Sequence, residues 1–229
     1  MSRTIVAIDG PSGAGKSTVA RLLARSLGLP YVDTGAMYRA VGLAACRRGI
    51  PLPIPDPASV EALAGECRLD LVTSPDGTRV RLNGEDVTDS IRKPEISLYA
   101  SAVSAIPGVR RRLVARQREI AQGEGGVLEG RDIGPRVFPA TPFKFFLTAS
   151  EPERARRRWK ELAGRGIDEP FEKVLAELHG RDEADSHRAD SPLTCDDSYR
   201  RIESEGKTPE EIAEAMRQAI DLTRRTSSG

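Results

Sequence analysis

A glycine-rich segment near the start of the chain has the residue types and spacing of a phosphate-binding loop. It reads Gly10-Pro-Ser-Gly-Ala-Gly-Lys16-Ser17 and fits G-x-x-x-x-G-K-[ST], in which glycines let successive backbone N–H groups turn inward around phosphate oxygens. In that pattern the lysine reaches the β- and γ-phosphates of a nucleotide, and the hydroxyl after it is a ligand of Mg²⁺. The predicted ATP-binding residues are Gly10, Pro11, Ser12, Gly13, Ala14, Gly15, Lys16, Ser17 and Thr18. We expect Mg²⁺ as the cofactor, with Ser17 as its ligand.

The residues on either side of this loop predict the elements that would hold it. An apolar run over residues 5–8 predicts a buried strand, and an alanine- and leucine-rich helical pattern follows from Thr18 to Leu27. This order places a helix N-terminus, with its positive dipole end, against the phosphates. Glycine-rich turns between a strand and a helix also occur without any ligand, and that is the alternative interpretation.

Polar residues follow the second predicted strand at the point where it ends. Leu29–Val32 predicts that strand, which leads into Asp33 and Thr34, with Arg39 on the helix that follows. Ligands of open α/β sheets bind at the carboxyl ends of the strands, so all three are candidate site residues. The alternative for Asp33 and Thr34 is that they only cap the second helix.

Charged residues follow another predicted strand further along the chain. Gly126–Glu129 predicts a buried strand that passes directly into Gly130-Arg-Asp-Ile-Gly134. An arginine and an aspartate between two glycines at a strand end, Arg131 and Asp132, indicate a second part of the same site. The alternative is a simple turn that an Arg–Asp pair stabilises.

Two later helices carry charges that share a face. Ser150 to Glu153 predicts a capping box, and the helix after it has Arg154, Arg157 and Arg158 at positions i, i+3 and i+4. Our hypothesis is a mobile lid that closes these arginines over ATP and shields a transfer reaction from water. An ordinary solvated face is the alternative.

The next helical pattern ends in three more charges at helical spacing. Arg181, Asp185 and Arg188 stand at i, i+4 and i+7, which places them on one face if the helix continues that far. An ion pair between Arg181 and Asp185 alone would be an ordinary surface feature of small energetic value.

Between residues 60 and 125 the alternation of strand and helix is interrupted. Alternating apolar residues on either side of Pro75-Asp76-Gly77 predict a β-hairpin, and helical patterns follow at Pro94–Ile106 and Pro107–Gln122. We interpret this segment as a lobe inserted over the sheet. Its second helix is rich in arginine, and a solvated charged face is the commoner explanation for most of these residues.

Composition limits the class of protein. The 229 residues suffice for one large domain with insertions or for two small ones, and the charges nearly cancel to a net +1, so a generally basic surface for nucleic acid is not indicated. Cys46, Cys67 and Cys195 lie far apart without C-x-x-C spacing, which favours neither a zinc site nor a disulfide framework. Without a signal peptide or an apolar stretch of membrane-spanning length, we expect a soluble, cytoplasmic monomer that binds small molecules rather than nucleic acid or membrane.

Taken in order along the chain, these motifs resemble the bacterial cytidylate kinases, also called CMP kinases. The resemblance spans about residues 3 to 193. It rests on the glycine loop, Asp33-Thr-Gly-Ala-Met-Tyr-Arg39, Gly130-Arg-Asp-Ile-Gly134 and Arg181-Asp-Glu-Ala-Asp185 through Arg188. It implies the α/β fold of P-loop nucleoside monophosphate kinases, with a central parallel sheet flanked by helices, an inserted α+β lobe that binds the monophosphate, and a helical lid. It also implies transfer of the γ-phosphoryl group of ATP to CMP or dCMP.

The same resemblance implies roles for individual residues. The implied acceptor-binding residues are Thr34, Arg39, Arg131 and Arg188 for the phosphate and ribose region, Ser101, Arg110 and Asp132 for the cytosine, and Arg181 and Asp185 near the sugar. The predicted catalytic residues are Lys16 of the glycine loop, Arg131, Arg188 and Arg157 of the lid, and Arg157 would also contact ATP. A carboxylate that faces the exocyclic amino group of cytosine would meet a carbonyl oxygen in uracil, so we expect discrimination against UMP.

Three places depart from the pattern of that family. Glu129 stands where the family often has Asp, which matters if that carboxylate contacts the Mg²⁺ shell through water, and Pro135 replaces a frequent Thr. Residues 195–204 are polar where the family normally has an apolar strand, so we expect a weakened edge strand near Tyr199–Ile202. A last helix begins after Thr208 with a capping box.

We divide the chain into parts on these patterns. The predicted parts are a core (1–59, 126–150 and 170–225), an inserted lobe (60–125), a lid (151–169) and a disordered tail (226–229), with fraying already expected from residue 223. Two other functions stay open. A kinase of another small acceptor, such as UMP or shikimate, would share the phosphate loop but would not need the long insert with Ser101 and Arg110. A non-catalytic nucleotide-binding module would not require arginines converging from four separate segments.

Overall fold

The predicted succession of strand, glycine loop and helix opens the fold, which we describe from a computed structural model. The structure describes residues 3–74 and 77–226. The elements, in chain order, are β1 (Ile5–Asp9), α1 (Lys16–Leu27), β2 (Tyr31–Asp33), α2 (Thr34–Arg47), α3 (Pro57–Glu66), β3 (Leu69–Ser74), β4 (Gly77–Leu82), β5 (Glu85–Asp86), α4 (Pro94–Ser104), α5 (Pro107–Glu124), β6 (Gly126–Gly130), β7 (Phe143–Thr148), α6 (Glu151–Gly164), α7 (Phe171–Ser186), β8 (Arg200–Glu203) and α8 (Pro209–Thr226). A π-helical turn, Ile133–Val137, follows β6.

Five parallel strands form the central sheet, in the order β2-β6-β1-β7-β8. β1 lies in the middle, and its residues from Val6 to Asp9 are completely buried, as expected for a parallel strand covered on both faces. Helices α1 and α8 pack on one face, where Leu23 and Met216 belong to one apolar cluster with β1 and β7. Helix α5 covers the other face through Ala121. The predicted α/β fold with a central parallel sheet is therefore confirmed.

The inserted lobe packs against the sheet layer through α2. Strands β3 and β4 form the predicted antiparallel hairpin, with Leu69 opposite Leu82, while Pro75 and Asp76, which were predicted in its turn, lie outside the described residues. The lobe's apolar side chains form one cluster with those of α2. Helix α3 begins at Pro57 and so crosses the predicted boundary at residue 60. The lobe and the sheet therefore share α2 as a common support.

The C-terminal part of the chain confirms one expectation and corrects another. The expected edge strand is present as β8, which begins one residue later than predicted and pairs in parallel with β7, with Leu147 opposite Ile202. The chain does not fray from residue 223, because α8 continues to Thr226, and residues 227–229 lie outside the described part. The capping box at Thr208 is confirmed, since its hydroxyl accepts from the N–H of Glu211 at 3.2 Å. Within residues 3–74 and 77–226, no helix combines the length and apolarity needed to cross a membrane.

The packing of the inserted lobe on α2 can be tested at Gly42. A Cβ at Gly42 would lie 3.0 Å from the main-chain N of Ala100 and 3.0 Å from the Cβ of Tyr99 on α4. Alanine gains about 1 kcal/mol in helix propensity, but forcing two packed helices apart costs about 1–3 kcal/mol. We expect Gly42→Ala to lower the free energy of unfolding, measured by urea titration.

The matched control is Gly180→Ala on the exposed side of α7, where a Cβ meets nothing within 4 Å. It should raise the free energy of unfolding by about 0.5–1 kcal/mol. Equal stabilisation by both substitutions would contradict the close packing of α2 on α4.

Candidate active site

A cleft of about 930 Å³ lies at the carboxyl end of the central strands. Its walls are the glycine loop, the start of α2, the inner side of the lobe, the segment after β6, and parts of α6 and α7. The predicted residues that line it are those from Ser12 to Thr18 together with Thr34, Arg39, Ser101, Arg110, Arg131, Asp132, Arg157, Arg181, Asp185 and Arg188. Gly10 and Pro11 belong to the loop but do not line the cleft. The structure thus brings separate sequence motifs to one place, while their binding roles stay predictions.

The glycine loop is bent where only glycine fits easily. Gly13 and Gly15 have φ angles of 76° and 91°, in the left-handed region that disfavours a side chain. A Cβ on Gly13 would lie 2.8 Å from the main-chain oxygen of Arg154, so α6 packs directly on the loop. Because Gly15 is the N-cap residue and offers no side chain to cap α1, the first N–H groups of that helix are available to an anion.

Lys16 is buried at the floor of the cleft. Its Nζ donates to the main-chain oxygens of Gly10 at 2.8 Å and Pro11 at 2.7 Å. Burial, and next the nearby Arg131, lower the pKa of Lys16 to about 7, while Glu129 and other carboxylates oppose this shift. An anion bound beside the amine would favour its charged form.

Oxygen atoms suited to a hard cation lie next to Ser17. The carboxylate of Glu129 is buried and accepts a hydrogen bond from the hydroxyl of Tyr31. Burial raises the pKa of Glu129, and the nearby Asp33 raises it as well, against the effect of Lys16. Asp33 caps α2 by accepting from the N–H of Ala36 at 3.0 Å, so the capping interpretation holds for Asp33, although it also lines the cleft.

The side chain of Thr34 does not cap α2 but bonds to the neighbouring strand β6. Its hydroxyl donates to the main-chain oxygen of Glu129 at 2.7 Å, which ties the start of α2 to the end of β6. This contact holds the carboxyl ends of β2 and β6 together beside the glycine loop.

Guanidinium groups outnumber carboxylates on the wall opposite the loop. Arg131 donates through Nε to Asp185 at 2.8 Å, and Nη1 of Arg188 lies 3.5 Å from the same carboxylate. Burial, and next the nearby Arg131 and Arg39, lower the pKa of Arg181 to about 10, while Asp185 opposes this shift. One carboxylate shared among several partly buried arginines leaves positive charge uncompensated, so this wall is suited to an anion.

A buried ion pair lies at the side of the cleft formed by the lobe. Arg110 is 2% exposed, so it does not belong to the solvated face expected for most arginines of α5. It donates to Asp132 and to the main-chain oxygen of Ser104 at 3.1 Å, and its guanidinium lies over the Tyr38 ring, 5.5 Å from the centroid. Ser101, one turn before Ser104, lines the cleft beside this pair. Asp132 therefore pairs with Arg110, whereas Arg131 pairs with Asp185, so the two do not form the Arg–Asp pair of a simple turn.

Comparison with known proteins adds to this geometry. A family model described as cytidylate kinase matches residues 6–222. The chain belongs to the cytidylate kinase family. It is a phosphotransferase, and among its relatives is a cytidylate kinase of Caldanaerobacter subterraneus subsp. tengcongensis, 50% identical over 215 residues that cover 94% of this chain and 93% of that protein. A cytidylate kinase of Geobacter sulfurreducens is 46% identical over 226 residues, which cover 98% of this chain and 96% of that protein.

A likeness to a solved structure supports the fold alone. The structure of an uncharacterized protein from Eubacterium ventriosum aligns with a TM-score of 0.52 at 14% sequence identity, and covers 96% of this chain and 99% of that one. At this identity the alignment carries no information about the chemistry of the cleft.

Helix α6 of this cytidylate kinase family member corrects the predicted arginine face. Arg154 is buried and does not line the cleft. It donates to the main-chain oxygens of Ala149 at 3.0 Å and Ser12 at 3.1 Å, and to the carboxylate of Asp182. Helical spacing places Arg154 beside the other two arginines, but its position in the first turn directs it toward the loop. The predicted capping box at Ser150 is wrong as well, because its side chain makes no capping hydrogen bond.

The other two arginines of the predicted face, Arg157 and Arg158, line the cleft. Arg157 donates to the hydroxyl of Ser204 at 2.9 Å and to its main-chain oxygen at 3.0 Å, and pairs with Glu153 at 2.9 Å. Arg158 pairs with Glu161 at 2.9 Å. These contacts connect α6 to the segment after β8, and they leave both guanidinium groups at the edge of the cleft.

Sequence reasoning missed two residues that organise the site. Asp9, at the end of β1, accepts from the N–H groups of Ile133 at 2.9 Å and Gly134 at 2.8 Å and from the hydroxyl of Tyr199 at 2.6 Å. It thereby fixes the segment that carries Arg131 and Asp132. The available signal was an aspartate at the end of an apolar strand, directly before the loop. The second is Ser204, whose contacts with Arg157 join two segments that are distant in sequence. No local sequence pattern indicates such a contact.

The two kinds of arginine on α6 can be separated by stability measurements. We expect Arg154→Met to lower the free energy of unfolding by about 3 kcal/mol, because it leaves the largely buried Asp182 carboxylate without its cation. Arg158→Met removes a partly exposed ion pair and should change it by less than about 1 kcal/mol. Urea unfolding followed by circular dichroism compares the two. A small effect of Arg154→Met would mean that Arg154 does not anchor the loop.

Proposed function

We propose that this protein transfers the γ-phosphoryl group of ATP to CMP or dCMP, which yields CDP or dCDP and ADP. The observation that carries the proposal is one cleft with the glycine loop on one wall and a cluster of partly buried arginines on the other. Membership of the cytidylate kinase family supports the identity of the acceptor. We further propose that the predicted site residues act in the roles that the resemblance implies.

The loop side suits the donor nucleotide. Phosphate oxygens of ATP would replace the carbonyl oxygens of Gly10 and Pro11 as partners of the Lys16 amine, and N–H groups of the loop and of α1 would surround the phosphates. The pKa of Lys16, which burial holds near 7, would rise beside the triphosphate. Binding of the donor would therefore favour the charged form of Lys16.

The oxygen-rich corner beside the loop fits Mg²⁺. Ser17 would be its ligand, and the carboxylates of the buried Glu129 and the partly buried Asp33 would hold its water shell. Among the described residues, no cluster of three or more metal-ligating side chains is assembled, which suits a cation that keeps several waters and takes other oxygens from phosphates. When bound, Mg²⁺ neutralises the charge that develops on the phosphates.

The arginine side suits the acceptor. Arg39, Arg131 and Arg188 would bind the 5′-phosphate of a nucleoside monophosphate, and Asp185 with Arg181 would lie near the sugar. Arginine is well matched to phosphate because its planar fork donates two hydrogen bonds at once. The surplus of positive charge on this wall would then be compensated by the acceptor.

The Arg110–Asp132 pair is the candidate base reader. Cytosine presents an amino donor at N4, and uracil presents a carbonyl oxygen at the same position. A carboxylate fixed by Arg110 has oxygen lone pairs to accept from that amino group, and it would repel the uracil oxygen. Ser101, on the same side of the cleft, would add a hydroxyl contact to the base.

The transfer needs no strong general base. The attacking oxygen belongs to a phosphate that is already anionic at neutral pH, and the two histidines, His179 and His187, are both exposed and do not line the cleft. Catalysis would rest on in-line positioning of the two phosphates and on cancellation of their crowded charge. Lys16, Arg131, Arg157 and Arg188 would supply the compensating positive charge, and α6 would act as the lid that brings Arg157 over ATP.

The acceptor assignment is tested by ADP release with Mg-ATP and, separately, CMP, dCMP, UMP, AMP and GMP. We expect strong turnover with CMP and dCMP and poor turnover with UMP, because of the carboxylate of Asp132. Lys16→Met, purified in the same way, should lose several orders of magnitude and so controls for contaminating kinases. Equal use of UMP and CMP would contradict the role of Asp132, and no turnover with any acceptor would favour a small-metabolite kinase or a non-catalytic module.

The role of α6 is tested with Arg157→Ala. We expect kcat to fall by about 10²-fold or more, because a cation that stabilises transferring phosphate is lost, while the melting temperature changes by only a few degrees. Arg156→Ala is the matched control, since Arg156 also pairs with Glu153 but is exposed and does not line the cleft. Similar kinetics for the two variants would remove Arg157 from the site. The fluorescence of Trp159, the single tryptophan and a residue of α6, provides a separate readout of lid movement when ATP is added.

A further inference from the structure

We propose that Tyr31 is a positioning residue, whose hydroxyl orients the carboxylate of Glu129 toward the Ser17 corner so that it can hold the water shell of Mg²⁺. The inference rests on the proposed function, because it presumes that Mg²⁺ accompanies the donor nucleotide. It adds a residue from outside the lining of the cleft, and it accounts for a glutamate at this strand end.

The register of the sheet places the two side chains together. Strands β2 and β6 are parallel neighbours, with Asp33 opposite Glu129 and Tyr31 opposite Val127. Side chains two residues apart on a strand point to the same face, so Tyr31 lies on the same face as Asp33, next to Glu129. The Tyr31 hydroxyl donates to Oε1 of Glu129, and the two residues are 4% and 5% exposed.

The backbones of both residues are fixed by other contacts. The main-chain oxygen of Tyr31 accepts from the hydroxyl of Thr78 at 3.0 Å, and that of Glu129 accepts from Thr34 at 2.7 Å. The orientation of the Glu129 carboxylate is not fixed by these contacts, because the glutamate side chain has one more rotatable bond than that of an aspartate. The phenol supplies a fixed donor on one carboxylate oxygen, so the second oxygen is directed by the same contact.

The location of the pair relates it to the metal corner. The Ser17 side chain lies beside both the Tyr31 hydroxyl and the Glu129 carboxylate. Tyr31 itself does not line the cleft, whereas Glu129 and Ser17 do. A ligand in the cleft would therefore meet the carboxylate and not the phenol. Partners of this kind, one shell away from a cation, affect metal affinity by about 10–100-fold.

The experiment measures how much Mg²⁺ strengthens the binding of ADP. Calorimetric titration gives the ADP dissociation constant in excess Mg²⁺ and again in EDTA, for the wild type and for Tyr31→Phe. We expect the Mg²⁺-dependent gain in affinity to fall about ten-fold or more in Tyr31→Phe, with the affinity in EDTA unchanged. Tyr99→Phe is the matched control, because its hydroxyl donates to the main-chain oxygen of Ile50 at 2.7 Å, away from the cleft, and it should keep the wild-type gain.

A second background separates positioning from simple structural support. In Glu129→Asp the shorter side chain does not reach the phenol, so adding Tyr31→Phe should leave the Mg²⁺-dependent gain where Glu129→Asp alone has it. An equal loss in both backgrounds, or a loss of ADP affinity in EDTA, would show that Tyr31 only supports the fold. An unchanged gain in Tyr31→Phe would overturn the proposal directly. If the wild type showed no Mg²⁺-dependent gain, the metal assignment in the proposed function would be the part that fails.

Discussion

The burial of charged side chains at the site is the constraint on which the rest of this structure depends. Lys16, Glu129 and Asp9 are all buried at the carboxyl end of the central sheet. An isolated ion there would be destabilised by several kcal/mol or more. The protein offsets this by giving each group polar partners: main-chain oxygens for Lys16, a phenol for Glu129, and backbone N–H groups for Asp9. A bound nucleotide would exchange some of these partners for phosphate oxygens. The arrangement of α1, α2 and the segment after β6 follows from the need to supply them.

The acceptor side of the cleft is assembled from two parts of the fold that are distant in sequence. Arg39 on α2 donates to Ser97 of the lobe at 2.8 Å, Arg188 donates to Ser104 at 3.3 Å, and Arg110 of the lobe reaches the ion pair with Asp132 at the sheet. No one element carries a complete site. The arginines therefore acquire their common orientation only when the lobe is packed on α2, which makes that packing a condition for recognition as well as for stability.

Much of the site was predictable because its chemistry is local. The glycine loop and the charges at the ends of β2 and β6 lie within short stretches, and the topology of a parallel sheet brings such strand ends together. Burial was not predictable in the same way. Arg154 and Arg157 are equivalent in helical spacing, yet one is an internal anchor and the other lines the cleft, because the glycine loop packs on the first turn of α6. Asp9 likewise gained its partners from segments more than a hundred residues away.

The last strand was hard to predict for a reason that has its own consequence. β8 reads Arg200-Arg-Ile-Glu203, with no apolar alternation, because its pairing with β7 rests on backbone hydrogen bonds rather than on side-chain burial. It is also the outer strand of the sheet, and its free edge would be a template for pairing with another copy of the chain. Charged side chains along such an edge oppose that pairing. The charged residues that made the strand hard to predict from the sequence thus also protect the sheet against aggregation.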